Sequence, residues 1–135
     1  ANNNSNLLIL ELFNNQLRTL PKEIGLLTSL KELHLQKNLL QDLPKEIGNL
    51  KQLQILSVHS NILSSIPEEI GQLTALRRLL LSYNDLETLP ESIGNLSSIT
   101  ELFLSCNNLI SLPTTIDKLT SLKGLFNDFS DLMAL

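Results

Sequence analysis

The chain is 135 residues long, 42% of them hydrophobic and only 4% aromatic, and it carries a formal net charge of −4. This length suits one domain, and the apolar content, mostly Leu and Ile, must be buried as many similar aliphatic layers. Acidic and basic residues are scattered, without the basic stripe that a nucleic-acid partner requires. No apolar run reaches the roughly 18 residues of a membrane-spanning helix. We therefore expect a soluble domain with no nucleic-acid partner and no membrane insertion.

The N-terminal segment, residues 1 to 6, is rich in asparagine and has neither the basic nor the apolar region of a signal peptide. We expect any targeting signal to be absent or already removed. The single cysteine, Cys106, excludes an internal disulfide framework. It leaves the redox compartment open, although it favours a reducing one.

Beyond residue 6 the chain is built from one repeat with a period of 23 residues. Prolines recur at this interval, at positions 21, 44, 67, 90 and 113. The alignment gives five complete units at 7–29, 30–52, 53–75, 76–98 and 99–121, and a partial sixth at 122–135. In the sixth unit Asn127 and Ser130 occupy positions that hold leucine and asparagine elsewhere, which is typical of a terminal unit. We expect one repeat domain over residues 7–135.

Each unit opens with a short, half-buried strand. In the stretch KELHLQ, Leu33 and Leu35 point to one side, and Glu32 and His34 point to the other. An asparagine follows at a fixed position, where we expect it to satisfy backbone groups as the chain turns, forming a ladder from unit to unit. These asparagines are Asn15, Asn38, Asn61, Asn84 and Asn107.

A short helical turn follows the strand in each unit. The proline suits the first position of this turn because its φ is fixed. We expect Glu23, Glu46 and Glu69 to face the open N–H groups at the positive end of the turn. The turn should end at a glycine with positive φ, and Asp117 takes that place in the fifth unit. The glycines are Gly25, Gly48, Gly71 and Gly94.

A unit of this size cannot bury its own leucines, so neighbouring units must stack. We predict an α/β fold, a curved solenoid with a parallel sheet on the concave face and short helices or turns on the convex face. The pattern LxxLxLxxNxLxxLPxEIGxLxx resembles that of the leucine-rich repeat family, in particular intracellular Ras-group scaffolds and bacterial members, some of which are secreted into host cells. This resemblance implies a non-enzymatic module that binds a protein or peptide without a cofactor or metal. It also implies a cytoplasmic protein or, alternatively, a secreted bacterial effector.

Outward-facing strand positions differ between units, so we expect function to reside there. The middle row holds Glu11, His34, Ser57, Leu80, Phe103 and Phe126. The row two residues earlier holds Ile9, Glu32, Ile55, Arg78, Glu101 and Gly124. The row two residues later holds Phe13, Gln36, His59, Ser82, Ser105 and Asp128, and the next row holds Asn14, Lys37, Ser60, Tyr83, Cys106 and Phe129. The face is thus polar and titratable in units two and three, and aromatic in units four to six.

The aromatic part of this face is the predicted partner-binding site. Large apolar groups clustered on an exposed sheet are typical binding anchors, and charged residues edge this cluster. The candidates are Arg78, Leu80, Tyr83, Glu101, Phe103, Phe126, Asp128 and Phe129, with His34 and His59 as secondary candidates. The alternative is that the partial sixth unit, or further units, cover some of these rings.

A catalytic alternative rests on Glu11, His34 and Ser57, which hold equivalent positions on consecutive strands roughly 4.8 Å apart. An open sheet supplies neither oriented oxyanion donors nor a water-excluding pocket, so a hydrolase is a remote alternative and we expect a surface hydrogen bond from His34 to Glu11. His34 and His59 lack a metal-site spacing signature, and no metal is predicted. Glycosylation sequons begin at Asn3 and Asn95, a pattern short enough to arise by chance, and their use stays open.

The size of the predicted binding surface limits the kind of partner. The outward strip spans roughly 24 Å by 16 Å, a flat footprint of about 400 Å² that suits a peptide or loop better than a globular partner.

The first strand, LLILELF, is apolar with an unpaired edge. We expect either that the parent protein continues upstream or that this edge self-associates. If the parent protein continues upstream, the chain also fits a structural or regulatory repeat segment of a larger signalling or secreted effector protein.

Overall fold

The computed structural model describes residues 6–126, in which short strands alternate with five-residue 3₁₀ helices. We refer to each 23-residue unit as a coil. The strands are β1 (Ile9–Glu11), β2 (Glu32–His34), β3 (Ile55–Ser57), β4 (Arg78–Leu80), β5 (Glu101–Phe103) and β6 (Gly124–Phe126). The helices are η1 (Lys22–Leu26), η2 (Lys45–Asn49), η3 (Glu68–Gln72), η4 (Glu91–Asn95) and η5 (Thr114–Lys118).

The strands form one parallel six-stranded sheet in the order β1-β2-β3-β4-β5-β6. Each pairing is offset by one full period, so Leu33 pairs with Leu56, and Leu56 with Leu79. The helices stack on one another in the same order on the opposite side of the coils. This is the predicted open solenoid, and the α/β fold prediction is confirmed.

A single leucine-rich core runs between the sheet and the helices. In the middle coils its side chains are excluded from solvent, as for Leu56, Leu79 and Leu102. In the first coil the equivalent Leu10 is only partly buried, since among the described strands β1 has a neighbour on one side only. Stacking therefore completes the core, as expected for a unit that cannot bury its own leucines.

The predicted asparagine ladder is present. Asn61 Nδ2 donates to Val58 O in its own coil (3.0 Å) and to Leu35 O in the preceding coil (3.0 Å). Its Oδ1 accepts from the Leu40 N–H (3.0 Å). One buried amide thus satisfies three backbone groups on two coils, and Asn38, Asn84 and Asn107 repeat the arrangement. Asn15 is exposed, and among residues 6–126 its side chain bonds only to Leu12 O and Phe13 O of its own loop.

The glycines do not have the predicted role. Among the described residues no glycine has positive φ. Gly25, Gly48, Gly71 and Gly94 each lie inside a 3₁₀ helix, and Asp117 likewise lies inside η5 without a positive φ. The reason for glycine is steric: a Cβ on Gly71 would lie 2.5 Å from the Ser92 carbonyl oxygen of the next helix. A Cβ on Gly25, Gly48 or Gly94 would lie 2.6 to 2.8 Å from an atom of the following coil. Glycine therefore sets the spacing between helices.

The helix starts also differ from the prediction. The prolines occupy the N-cap, with φ near −70° and extended ψ, for example −71° and 153° at Pro67, so each helix begins one residue later than predicted. Glu23, Glu46 and Glu69 lie in the first turn as predicted. Within residues 6–126, however, their carboxylates accept no hydrogen bond, because the first turn is already closed by backbone bonds such as Ile70 N–H to Pro67 O (3.0 Å).

Left-handed backbone occurs at the residue before each ladder asparagine, a feature that the repeat pattern did not predict. These residues have φ of 58° to 60° and are Asn14, Lys37, Ser60, Tyr83 and Cys106. The N–H of each of the first four donates to a carbonyl of the next coil, as from Tyr83 to Ser105 O (2.9 Å). The same loop position thus projects a side chain beside the sheet in every coil.

Candidate functional site

The outward strand positions form continuous rows across the sheet. The register places Glu11 beside His34, His34 beside Ser57, and Leu80 beside Phe103. The row two residues earlier is equally regular, with Arg78 beside Glu101. The predicted rows therefore exist as a surface, which we call the concave strip: the outward side chains of β1 to β5 and the loop positions that follow them.

The centre of the predicted binding site is a compact cluster on β4 and β5. Leu80 and Phe103 are neighbours in the register and are both partly exposed. Arg78 Cζ lies 5.6 Å from the centroid of the Phe103 ring, a cation–π distance. Arg78 Nε is 2.7 Å from Glu101 Oε1, an ion pair by distance, although the Nε–H lacks hydrogen-bond alignment. We call Arg78, Leu80, Glu101 and Phe103 the central cluster.

The other predicted anchors are less complete. Phe126 follows Phe103 in the register of β6. Asp128 and Phe129 lie outside the described residues. Tyr83 is 61% exposed at the loop after β4. The pKa of Tyr83 is raised, first by a hydrogen bond to the Cys106 side chain and then by the negative charge that this side chain carries as a thiolate. The exposed Cys106 is thus the neighbour of Tyr83 on the next coil.

The acid, imidazole and hydroxyl row of the remote hydrolase alternative does not form. His34 Nε2 lies 3.0 Å from Glu32 Oε1 on its own strand, and the predicted hydrogen bond from His34 to Glu11 is wrong. Ser57 is only 3% exposed, because it lies between the larger side chains of His34 and Leu80. Its hydroxyl is therefore withdrawn from any substrate on the sheet, and the geometry gives this alternative no support.

His59 lies at the loop after β3, beside Ser60 and near Lys37. Its Nδ1 is 3.3 Å from Ser60 Oγ. The pKa of His59 is lowered from its ordinary value of 6.5, first by burial and then by the positive charge of Lys37. Within residues 6–126 no group of three or more His, Cys, Asp or Glu side chains is placed to hold a metal ion.

A shallow depression opens at the edge of the sheet where β3, β4 and β5 begin. Its volume is about 300 Å³. It is lined by Gln54, Ile55, Arg77, Arg78, Thr100 and Glu101. The outward rows did not predict this feature, because Gln54, Arg77 and Thr100 precede the strands and lie outside those rows. Arg78 and Glu101 belong to both the depression and the central cluster.

An open parallel sheet on stacked coils with this recurring turn defines a solenoid repeat protein, and the comparisons with known proteins specify its family. The family model "Leucine rich repeat" matches residues 28–86. The Leptospira interrogans LRR protein LIC12759 is 34% identical with a TM-score of 0.71; the match covers 91% of this chain and 44% of that protein. No curated protein gives a significant match.

A plant protein is also similar. The plant peptide hormone receptor RGFR1, solved in complex with RGF2, is 37% identical with a TM-score of 0.83; the match covers 91% of this chain and 21% of that protein. The chain belongs to the leucine-rich repeat family, and it spans less than half the length of either solved relative. This fold is in general that of a protein-interaction module. In the part of the chain that the structure describes, no helix has the length and hydropathy needed to cross a membrane.

Proposed function

We propose that this protein is a non-enzymatic interaction module that binds a protein segment or peptide on its concave strip, with the central cluster supplying most of the binding energy. The observation that carries this proposal is the pairing of Leu80 with Phe103 on an open sheet, where both side chains remain partly exposed. The match to a receptor solved with a peptide hormone supports peptide binding as a use of this fold.

The chemistry of the central cluster suits a binding anchor. An apolar side chain of a partner would cover Leu80 and Phe103 and remove apolar surface from water, at about 25 cal/mol per Å². The Phe103 ring is held under the Arg78 guanidinium, which is itself paired with Glu101. Such a pre-oriented ring loses little conformational entropy on binding, and anchors of this kind dominate interface energies.

The test compares partner capture by three forms of the chain. The double variant Leu80→Ala/Phe103→Ala should lose the partners that the unmodified chain retains in a pull-down read by mass spectrometry. Leu26→Ala is the matched control, because Leu26 is an exposed apolar residue (56%) on η1, away from the sheet. Equal capture by all three forms would exclude the concave strip as the binding surface. A large loss of melting temperature in the double variant would instead assign these side chains to the core.

A second candidate function is structural, as a repeat segment of a larger signalling or secreted effector protein. The solved relatives are more than twice as long as the matched region, which supports this candidate. Self-association through β1 belongs to the same class of roles, since Leu8, Ile9 and Phe13 are exposed at this edge. Light scattering decides that point: a mass that does not change with concentration and equals one chain would exclude the β1 contact.

A further inference from the structure

The edge at which the strands begin carries a positively charged row. The residues one place before the strands are Leu8, Lys31, Gln54, Arg77, Thr100 and Lys123. Three of them are cations, all three are exposed, and none of the six is an acid. The chain as a whole has a net charge of −4, and many of its acids, such as Glu46 and Glu68, lie on the helices across the coil. This edge therefore attracts anions locally, against the overall charge of the molecule.

The depression lies in the middle of this row and contains one uncompensated positive charge. The Arg78 charge is balanced by Glu101, whose Oε1 is 2.7 Å from Arg78 Nε. Arg77 has no acidic group within ion-pair distance among residues 6–126. The Thr100 hydroxyl donates to the Arg77 carbonyl (3.1 Å), which fixes the backbone that carries the Arg77 side chain.

The depression and the central cluster are continuous along the strand direction. Arg78 lines the depression and also lies over the Phe103 ring. Leu80 lies two residues after Arg78 on β4, which corresponds to roughly 6.6 Å. Residues i and i+2 of an extended peptide point to the same side at the same separation. An extended peptide along β4 would therefore present one side chain to the depression and the next on that side to Leu80 and Phe103.

We propose that the depression binds the side-chain carboxylate of an aspartate or glutamate in an extended peptide, with an apolar residue two positions away packed on Leu80 and Phe103. This inference rests on the proposed function and specifies its ligand class. Arg77 supplies the charge and the planar donors that suit a carboxylate. The Gln54 side chain adds an amide donor on the neighbouring coil.

The experiment uses an array of short synthetic peptides, all amidated at the C-terminus so that only side chains offer a carboxylate. The unmodified chain should select peptides with Asp or Glu two positions from Leu, Phe or Trp. Changing that acid to its amide should weaken binding roughly fivefold, and higher ionic strength should reduce this difference. In Arg77→Gln the acid and amide peptides should bind equally. Arg18→Gln, which removes an exposed arginine outside the sheet, should keep the difference.

The outcomes separate this inference from the proposed function. Apolar peptides bound without preference for an acid, or a preference that persists in Arg77→Gln, would overturn the carboxylate site alone, provided that Phe103→Ala still abolishes binding. Binding that is unaffected by Phe103→Ala, or no peptide bound above background, would overturn this inference and also count against peptide binding on the concave strip.

Discussion

The loop residues of the concave strip owe their backbone conformation to the asparagine ladder more than to their own conformational preferences. Lys37, Ser60, Tyr83 and Cys106 adopt left-handed backbone, which costs roughly 1 to 2 kcal/mol for a residue with a Cβ. The asparagine that follows each one fixes the turn through buried hydrogen bonds, for example from Asn84 Nδ2 to Leu81 O (3.0 Å). Because the turn is imposed, this loop position accepts a lysine, a tyrosine or a cysteine. Chemical variety beside the sheet therefore comes without a change of fold.

The titration of His59 is a residue-scale prediction. Burial and the charge of Lys37 both favour the neutral imidazole, so the NMR titration midpoint of the His59 ring should lie below 6.5. Lys37→Gln should raise this midpoint while leaving it below 6.5, because burial is the larger cause. Lys31→Gln, at the opposite edge of the sheet, should leave it unchanged. A midpoint at or above 6.5, or one insensitive to Lys37→Gln, would contradict this account.

The same shift makes a signed contribution to stability. The unfolded chain takes up the His59 proton near pH 6.5, and the folded chain does so only at lower pH. The stabilisation linked to His59 is therefore complete above about pH 6.5 and is lost as the pH falls through the folded pKa.

At the scale of the helices, close packing replaces capping. Five-residue helices gain little from charge at their ends, and in the described part of the chain the carboxylates in their first turns accept no hydrogen bond from their own helix. Glu91 Oε2 accepts instead from the Thr114 hydroxyl of the next helix (3.2 Å). What fixes these helices is their stacking, including hydrogen bonds such as Ser92 Oγ to Glu68 O (2.6 Å). The glycine of each helix allows this approach because it has no Cβ.

Adding a Cβ at that position should lower the free energy of unfolding where another helix packs against it. It should have little effect in η5, which no described helix follows. Gly71→Ala places a methyl group 2.5 Å from Ser92 O, and backbone atoms must shift to accommodate it. We expect a loss of about 2 to 3 kcal/mol in the free energy of unfolding, measured in urea. Asp117→Ala, at the equivalent and exposed position of η5, should stay within about 0.5 kcal/mol. Similar losses in both variants would point to backbone preference and not to helix spacing.

For the whole molecule, the 23-residue repeat determined which features of the fold and of the candidate site could be predicted from the sequence. A constant interval of 23 residues forces equivalent positions into register, so the rows with Leu80 beside Phe103 and Arg78 beside Glu101 followed from the alignment. The burial of Ser57 did not, because it depends on the size of the side chains on the neighbouring coils. Nor did the pairing of His34 with Glu32 on its own strand, since Glu11 is the neighbour of His34 in the register and the repeat pattern does not specify side-chain conformation.

Stability should therefore vary along the solenoid, since each coil is stabilised only by its neighbours. The Leu12 N–H donates to His34 O (2.8 Å) and the Val58 N–H to Leu80 O (3.0 Å), two hydrogen bonds at the same repeat position. Leu12 is only partly buried, whereas Val58 is fully buried between coils. Under conditions where hydrogen exchange reports the opening equilibrium, the Leu12 amide should exchange at least about tenfold faster, a difference of roughly 1.4 kcal/mol. Equal protection of the two amides from exchange would mean that the coils open only together. The central cluster would then open only when the whole molecule unfolds, and no single coil could adjust to a partner by itself.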